Sequence, residues 1–165
     1  MNKLWVVFGL KMEDSGGGDV GLSFDRLCCR DILYKRIDSH GRIMMFVKYL
    51  KDCREFIAGD GSILRELLHP DKATILTHYS LAHAKVVAGQ KTKPHKLKSS
   101  EVYYVTAGQG LMHIDQESFE VGPECAIYIP PNSVQYIENT GNSDLKFLCI
   151  VDPAWREEDE EVFDH

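Results

Sequence analysis

The chain has 165 residues, 27% of them charged and 44% in the hydrophobic set, with a formal net charge of −6 at pH 7. This length and composition are typical of one globular domain with a complete core. The negative charge argues against general nucleic-acid binding, which needs a basic face to neutralise phosphates. No apolar run approaches the length of a membrane span, so we expect no membrane partner.

The five cysteines are odd in number and form no CxxC pair. This spacing argues against a zinc site made of thiolates and favours a reducing, cytoplasmic setting. The apolar run from Leu4 to Leu10 is not followed by the small-residue cleavage site of a secretory signal. We therefore predict no export signal.

Residues 1–46 differ from the rest of the chain because they show no sustained hydrophobic period. Two interpretations are open. The segment is either a genuine N-terminal extension, with a short strand and a helix near Leu27 to Ile37, or an artefact of the assigned gene start. In the second case translation begins at Met44 or Met45. The β pattern begins immediately after those methionines, which favours the second interpretation.

A glycine-rich stretch lies inside this segment. Gly16, Gly18 and Gly21 match the spacing GxGxxG after an apolar run. A dinucleotide site needs a helix after these glycines, within a βαβ unit, and the stretch between Gly21 and the β pattern is too short for one. The glycines alone do not predict a nucleotide site.

From Val47 onward, short runs rich in β-branched and aromatic residues alternate with turns. The predicted strands are Ile63 to Leu68, Tyr79 to Val87, Val102 to Thr106, Leu111 to Ile114, Phe119 to Val121, Ala126 to Ile129, Gln135 to Ile137 and Leu145 to Val151. The last of these is apolar on both faces, which predicts a buried strand. The pattern predicts an all-β domain over residues 47–153, either a sandwich or a barrel.

The C-terminal residues 154–165 change character. Asp152 and Pro153 suit the start of a helix, so we predict a short helical tail there. Trp155 is expected to fold back onto the β domain. The acidic run from Glu157 to Glu161 is interpreted as solvated surface.

Two stretches of the β domain carry spaced signature residues. Six positions fit a double motif: Gly89, His95, Glu101, Gly108, Pro130 and Asn139. The chain thereby resembles the cupin superfamily. Its first motif reads Gly, five residues, His-x-His, three or four residues, Glu, six residues, Gly. Its second reads Gly, five residues, Pro-x-Gly, two residues, His, three residues, Asn. The resemblance implies a double-stranded β-helix, or jelly-roll, barrel, and is greatest to small single-domain cupins labelled mannose-6-phosphate isomerase-like.

Four signature positions differ from the family pattern. Leu97 stands where the second histidine would be, and Gln135 where the histidine of the second motif would be. Glu124 and Asn132 replace two glycines. Two of the departures therefore fall on positions that hold a metal in the family.

In cupins, three histidines and one glutamate hold a divalent metal inside the barrel. Because strand residues two apart share a face, His95 and Leu97 are expected to point inward, as are Glu101 and Tyr103. The remaining candidate metal ligands are His95, Glu101 and Gln135, for zinc, manganese, iron or nickel. The alternative is a metal-free pocket in which His95 and Glu101 hydrogen-bond each other and act as a catalytic acid–base pair.

The substrate pocket is expected to be lined by Leu97, Tyr103, Tyr128 and Gln135. Tyrosine hydroxyls and the amide would favour a polar, sugar-like or small acidic ligand.

Three functions are compatible with these residues. The first is binding of a small polar metabolite, such as a sugar or sugar phosphate, by a metal-assisted, isomerase-like enzyme that uses His95 and Glu101. The second is a non-enzymatic sensor or binding protein without metal. The third is a metal-dependent dioxygenase, against which Leu97 and Gln135 argue. The resemblance also implies a homodimer.

Overall fold

The computed structural model describes residues 6–7, 10–11, 34–37, 43–73 and 75–163, which fall into two compact units, residues 1–53 and 54–165. The described part of the first unit forms two antiparallel strand pairs and a short 3-10 helix. They are β1 (Val6–Val7) with β2 (Leu10–Lys11), β3 (Tyr34–Ile37) with β4 (Ile43–Val47), and the helix Leu50–Asp52. The predicted helix near Leu27 to Ile37 is therefore wrong over its last four residues. Its remainder, like the glycine motif, lies outside the described residues.

The second unit consists mainly of two antiparallel sheets. Its strands are β5 (Glu55–Ile57), β6 (Ile63–Leu68), β7 (Ser80–Val86), β8 (His95–Leu97), β9 (Ser100–Ala107), β10 (Gly110–Ile114), β11 (Glu117–Val121), β12 (Ala126–Ile129), β13 (Gln135–Asn139), β14 (Leu145–Asp152) and β15 (Glu160–Val162). One sheet has the order β12-β9-β14-β7-β6-β5 and the other β11-β10-β13-β8-β15. The all-β prediction is confirmed. The two sheets do not join into a closed barrel, so the predicted barrel is corrected to an open jelly roll.

The core of this unit lies between the two sheets. Along β14 the buried residues alternate, so that Leu145, Phe147 and Cys149 face inward. They meet Met112 and Ile137 from the five-stranded sheet in one buried cluster. Burying each large side chain contributes about 1.5–3 kcal/mol, and this cluster fixes which residues of the neighbouring strands face inward. Within the described residues, no helix has the length and apolar character to cross a membrane.

The C-terminal segment forms a strand, so the predicted helical tail is wrong. Asp152 continues β14 and pairs with Ser100, and a 3-10 turn at Glu157–Asp159 leads into β15. β15 pairs antiparallel with β8, which would otherwise be an exposed sheet edge. Backbone pairing with a distant strand therefore overrides the local helix signals. The division into residues 1–46, 47–153 and 154–165 stays a prediction.

Two signature positions keep a glycine-like backbone although the side chains have changed. Glu124 and Asn132 replace the two glycines of the second motif, and they adopt φ values of 68° and 65°. The left-handed region costs a residue with a Cβ about 1–2 kcal/mol, and asparagine tolerates it better than glutamate. The side chain of Glu124 is exposed, so it gains little burial to offset this cost. The turn therefore carries local strain at Glu124.

Replacing Glu124 by glycine should raise the free energy of unfolding by about 0.5–1 kcal/mol, because glycine adopts this φ without a steric cost. Urea denaturation measures the change. The opposite substitution, Gly108→Ala, serves as the control. Gly108 has φ 86°, and an added Cβ would lie 2.7 Å from both the Asp144 oxygen and the Leu145 Cα, so this variant should be destabilised. An unchanged or lowered stability of Glu124→Gly would contradict the strain at this turn.

Candidate functional site

A cavity of about 290 Å³ lies in the second unit and reaches between its sheets. β8, β9 and β14 contribute to its wall, together with the segment 56–64 and the C-terminal residues Trp155 and Glu160. Four of its residues belong to the predicted inward face: His95, Leu97, Glu101 and Tyr103. Strand alternation therefore places these four as expected.

His95 presents one ring nitrogen that the protein does not engage. Its Nδ1 lies 3.0 Å from the backbone oxygen of Lys93. Because a carbonyl oxygen only accepts, Nδ1 carries the hydrogen, and in the neutral ring Nε2 holds a lone pair. No partner contacts that Nε2 among the described residues. The other buried histidine of the cavity wall, His69, differs, because its two nitrogens contact the Asp71 amide and the Trp155 oxygen.

Glu101 is a buried carboxyl group beside this imidazole. Its side chain is only 5% exposed, and its Oε2 accepts a hydrogen bond of 2.7 Å from Gln135 Nε2. Burial raises the pKa of Glu101 from 4.5 to about 7, although His95 and the bond from Gln135 oppose the shift. The carboxyl group is therefore close to half protonated at neutral pH.

Gln135 is held directly opposite His95 in the pairing of β13 with β8 and is 1% exposed. Its Nε2 is used by Glu101, but its Oε1 is buried without a donor among the described residues. Leaving a buried acceptor without a donor costs about 1–3 kcal/mol. Beside His95 and Glu101, the described residues therefore leave one buried hydrogen-bond acceptor without a donor.

The metal-free alternative for this site is corrected in one detail. His95 and Glu101 do not hydrogen-bond each other. Glu101 is bound to Gln135, and the Nδ1 of His95 is turned to its own strand. The imidazole still lies close enough to lower the pKa of Glu101. Each keeps an atom available for a third molecule.

The residues present do not fit the metal site that the resemblance implies. That site needs three imidazoles and one carboxylate, whereas Leu97 supplies no donor and Gln135 uses its amide nitrogen to hold Glu101. In the described part of the chain, no group of three or more His, Cys, Asp and Glu side chains is arranged to hold a metal ion. The predicted metal set His95, Glu101 and Gln135 supplies only one imidazole, one carboxyl group and one amide oxygen, and it stays a prediction.

Two predicted pocket residues, Tyr128 and Gln135, are not in the cavity wall, which corrects the prediction. Tyr128 is 62% exposed, whereas its neighbours Ile127 and Ile129 are buried. On β12 the alternation places the two isoleucines inward, and Tyr128 opposite Val102 on the outer face. Tyr103, on the inner face of β9, does line the cavity and packs its ring 4.5 Å from that of Phe147.

Two wall residues escape motif-based reasoning. Asp60 lies in the turn before β6, where its Oδ1 accepts hydrogen bonds from the amide and hydroxyl of Ser62. Glu160 belongs to the acidic run interpreted as solvated surface, yet it is half-buried and accepts a bond of 3.1 Å from Trp155 Nε1. Neither position follows from a motif, because both reach the cavity only through tertiary packing.

A family model described as a cupin domain matches residues 82–151. An uncharacterised protein of Methanocaldococcus jannaschii is 46% identical over 112 residues, which cover 67% of this chain and 89% of that protein. The chain belongs to the cupin superfamily. This cupin is also 30% identical over 71 residues to an oxalate-binding protein of Thermotoga maritima, covering 42% of this chain and 59% of that one.

Solved structures agree on the fold. A polyketide cyclase of Streptomyces resistomycificus superposes on this cupin with a TM-score of 0.61 at 24% identity, over 74% of this chain and 88% of that one. At this identity the likeness shows the fold alone. The narrower resemblance to the mannose-6-phosphate isomerase-like group stays a prediction.

Proposed function

We propose that this cupin binds a small polar metabolite in its cavity and contacts it through His95 and Glu101. One observation carries the proposal. In the wall of a cavity large enough for a metabolite, His95 Nε2 has no partner among the described residues. Gln135, which is paired with His95 but lies outside that wall, has an Oε1 that is buried without a donor among the same residues. Few convergent polar groups set in an otherwise apolar wall are typical of a small-molecule site.

The His95→Ala variant should lose metabolite binding by about tenfold or more, because a buried hydrogen bond to the ligand disappears. Native mass spectrometry after incubation with a metabolite extract would compare the ligand-bound fractions. His78→Ala is the matched control, since His78 is exposed and lies outside the cavity wall. Equal ligand occupancy in the wild type and His95→Ala would overturn the assignment.

Proton-transfer catalysis of the isomerase kind is a second candidate function. The Nε2 lone pair of His95 is a base, and the raised pKa of Glu101, about 7, supplies an acid that can release its proton near neutral pH. Incorporation of solvent deuterium into the bound metabolite would distinguish such turnover from binding alone. A sugar phosphate as the substrate has no support of its own.

The oxalate-binding relative suggests oxalate as an alternative ligand, but the cavity wall argues against it. Asp60, Glu101 and Glu160 all line the cavity, and a dianion would be repelled by them. Dioxygenase chemistry, homodimer formation and a cytoplasmic location remain predictions.

A further inference from the structure

The cavity has an uneven charge distribution that the proposed function does not explain. Asp60, Glu101 and Glu160 line the same cavity, and a Cβ added at Gly59, next to Asp60, would lie 3.8 and 4.0 Å from the two carboxyl oxygens of Glu160. Asp60 and Glu101 are buried, and Glu160 is half-buried. His95 is the wall residue that lowers the pKa of Glu101. Acidic groups therefore outnumber basic ones at this end of the cavity.

Apart from the histidines, Lys72 is the only basic side chain among the described wall residues, and it does not offset the acidic groups. Its Nζ lies 2.6 Å from a carboxyl oxygen of Glu66, with which it forms an ion pair. The charges of Lys72 and Glu66 cancel. Asp60, Glu101 and Glu160 therefore have no lysine or arginine partner within the described wall.

Each of the three carboxyl groups has one oxygen held by the protein and one that is not. The donors are the amide and hydroxyl of Ser62 for Asp60 Oδ1, Gln135 Nε2 for Glu101 Oε2, and Trp155 Nε1 for Glu160 Oε2. No protein donor contacts Asp60 Oδ2, Glu101 Oε1 or Glu160 Oε1 in the described part of the chain. None of these three oxygens is among the completely buried atoms that lack a partner. They are therefore accessible acceptors.

The remaining wall is mainly apolar and aromatic. Leu64, Leu97, Phe147 and Val151 line the same cavity, together with the ring of Tyr103. An apolar body can be buried against these side chains. An aromatic face in the wall also attracts a cation. The cavity therefore combines an acidic end with an apolar wall.

We propose that the ligand of this cavity is a small primary amine with an apolar body, whose ammonium group is bound by Asp60, Glu101 and Glu160. An ammonium group has three donors and no acceptor, which matches three accessible carboxyl oxygens in number. Burial raises the pKa of Glu101 to about 7, and a bound ammonium group favours the ionised form of this carboxyl group. The assignment rests on the proposed function and replaces the sugar or sugar phosphate expected from the sequence. It also implies that the cavity does not bind dianions such as oxalate.

Three ligands of similar shape but different charge test the assignment. Phenethylamine, 2-phenylethanol and phenylacetate differ mainly in their terminal group, and isothermal titration calorimetry on the full chain at pH 7 would give their dissociation constants. Phenethylamine should bind about tenfold more tightly than the alcohol, and phenylacetate should bind most weakly. Oxalate, titrated in the same way, should not bind.

Charge-removing variants locate the ammonium group. Asp60→Asn and Glu160→Gln keep an oxygen that can accept from Ser62 or Trp155, so the local hydrogen bonds can persist. Each should weaken phenethylamine binding about tenfold and leave 2-phenylethanol binding nearly unchanged. Glu117→Gln is the matched control, because Glu117 is an exposed carboxylate outside the cavity wall.

The results distinguish the amine assignment from the proposed small-molecule binding at His95. Preference for the amine, lost in Asp60→Asn and Glu160→Gln but kept in Glu117→Gln, supports the amine assignment. Tighter binding of phenylacetate or oxalate overturns that assignment and leaves a small-molecule pocket at His95 in place. If no member of the series binds, the amine assignment fails, and retention of an extract metabolite by the wild type but not by His95→Ala then decides the proposed function separately.

Discussion

Replacing Glu101 by glutamine should remove a pH dependence of folding stability on the order of 3 kcal/mol. Burial raises the pKa of Glu101 from 4.5 to about 7 in the folded chain. Below pH 4.5 the carboxyl group is protonated in both states. Between pH 4.5 and 7 the unfolded chain loses this proton while the folded chain keeps it, so the free energy of unfolding falls by about 1.4 kcal/mol per pH unit. The stabilising contribution is thus present at low pH and lost as the pH rises to about 7.

The variant isolates this effect because glutamine does not titrate and its amide oxygen can still accept from Gln135 Nε2. Urea denaturation of wild type and Glu101→Gln at pH 4.5, 5.5, 6.5 and 7.5 gives the difference in unfolding free energy at each pH. That difference should move in favour of the variant as the pH rises. The exposed Glu117→Gln is the control and should follow the wild type. Parallel curves for Glu101→Gln and wild type would show that the folded protein does not hold Glu101 protonated.

Strand alternation, with the inward phase taken from the resemblance to cupins, places four residues of the cavity wall. His95 and Leu97 are two apart on β8, and Glu101 and Tyr103 are two apart on β9, and all four line the cavity. The period of a strand is fixed by backbone geometry, so one inward residue determines the others of the same strand. This kind of prediction needs no knowledge of the neighbouring strands.

Alternation does not by itself say which phase of a strand faces inward, and on β12 the predicted phase was wrong. Tyr128 alternates with Ile127 and Ile129, and the buried isoleucines decide the phase against the tyrosine. The signal was present, because two β-branched apolar residues flank one polar-tipped aromatic residue. The motif spacing of the neighbouring proline carries no information on this phase.

The acidic end of the cavity could not be found from the sequence. Asp60 lies 35 positions before His95 and Glu160 lies 65 positions after it, by their numbers in the chain. Glu160 enters only because β15 pairs with β8 and sets it opposite Leu97. A dense acidic run is more often solvated surface, and only the tertiary pairing makes one of its members a wall residue.

In this cupin the backbone of the motif positions is retained, but the side chains that would bind a metal are not. Glu124 and Asn132 stand at two glycine positions of the second motif and adopt positive φ values, a conformation that glycine reaches without steric cost. Leu97 and Gln135 keep their inward places on the strands but not the imidazoles. The fold therefore preserves the positions of a metal site without its chemistry. This separation leads to a prediction that depends on the backbone alone.

The double variant Leu97→His/Gln135→His should bind one divalent ion per chain, whereas the wild type should not. Leu97 lies on the same face of β8 as His95, and Gln135 is paired with His95 and reaches Glu101 at 2.7 Å. The two substitutions would bring three imidazoles and one carboxylate to these neighbouring positions, the donor set that the resemblance to cupins implies. Imidazole and carboxylate together suit zinc or cobalt.

Elemental mass spectrometry on untagged protein would measure the bound zinc, and cobalt absorption spectra would report its coordination. Metal at about 1,000 times its dissociation constant should stabilise the double variant by about 4 kcal/mol and leave the wild type unchanged. Leu97→His alone is the control for lost apolar burial. A wild type that carries one ion per chain, lost in His95→Ala/Glu101→Ala, would show instead that His95, Glu101 and Gln135 suffice, and the metal-free site would be wrong. Failure of the double variant to bind would mean that the strands place these positions but do not direct their side chains to a common point.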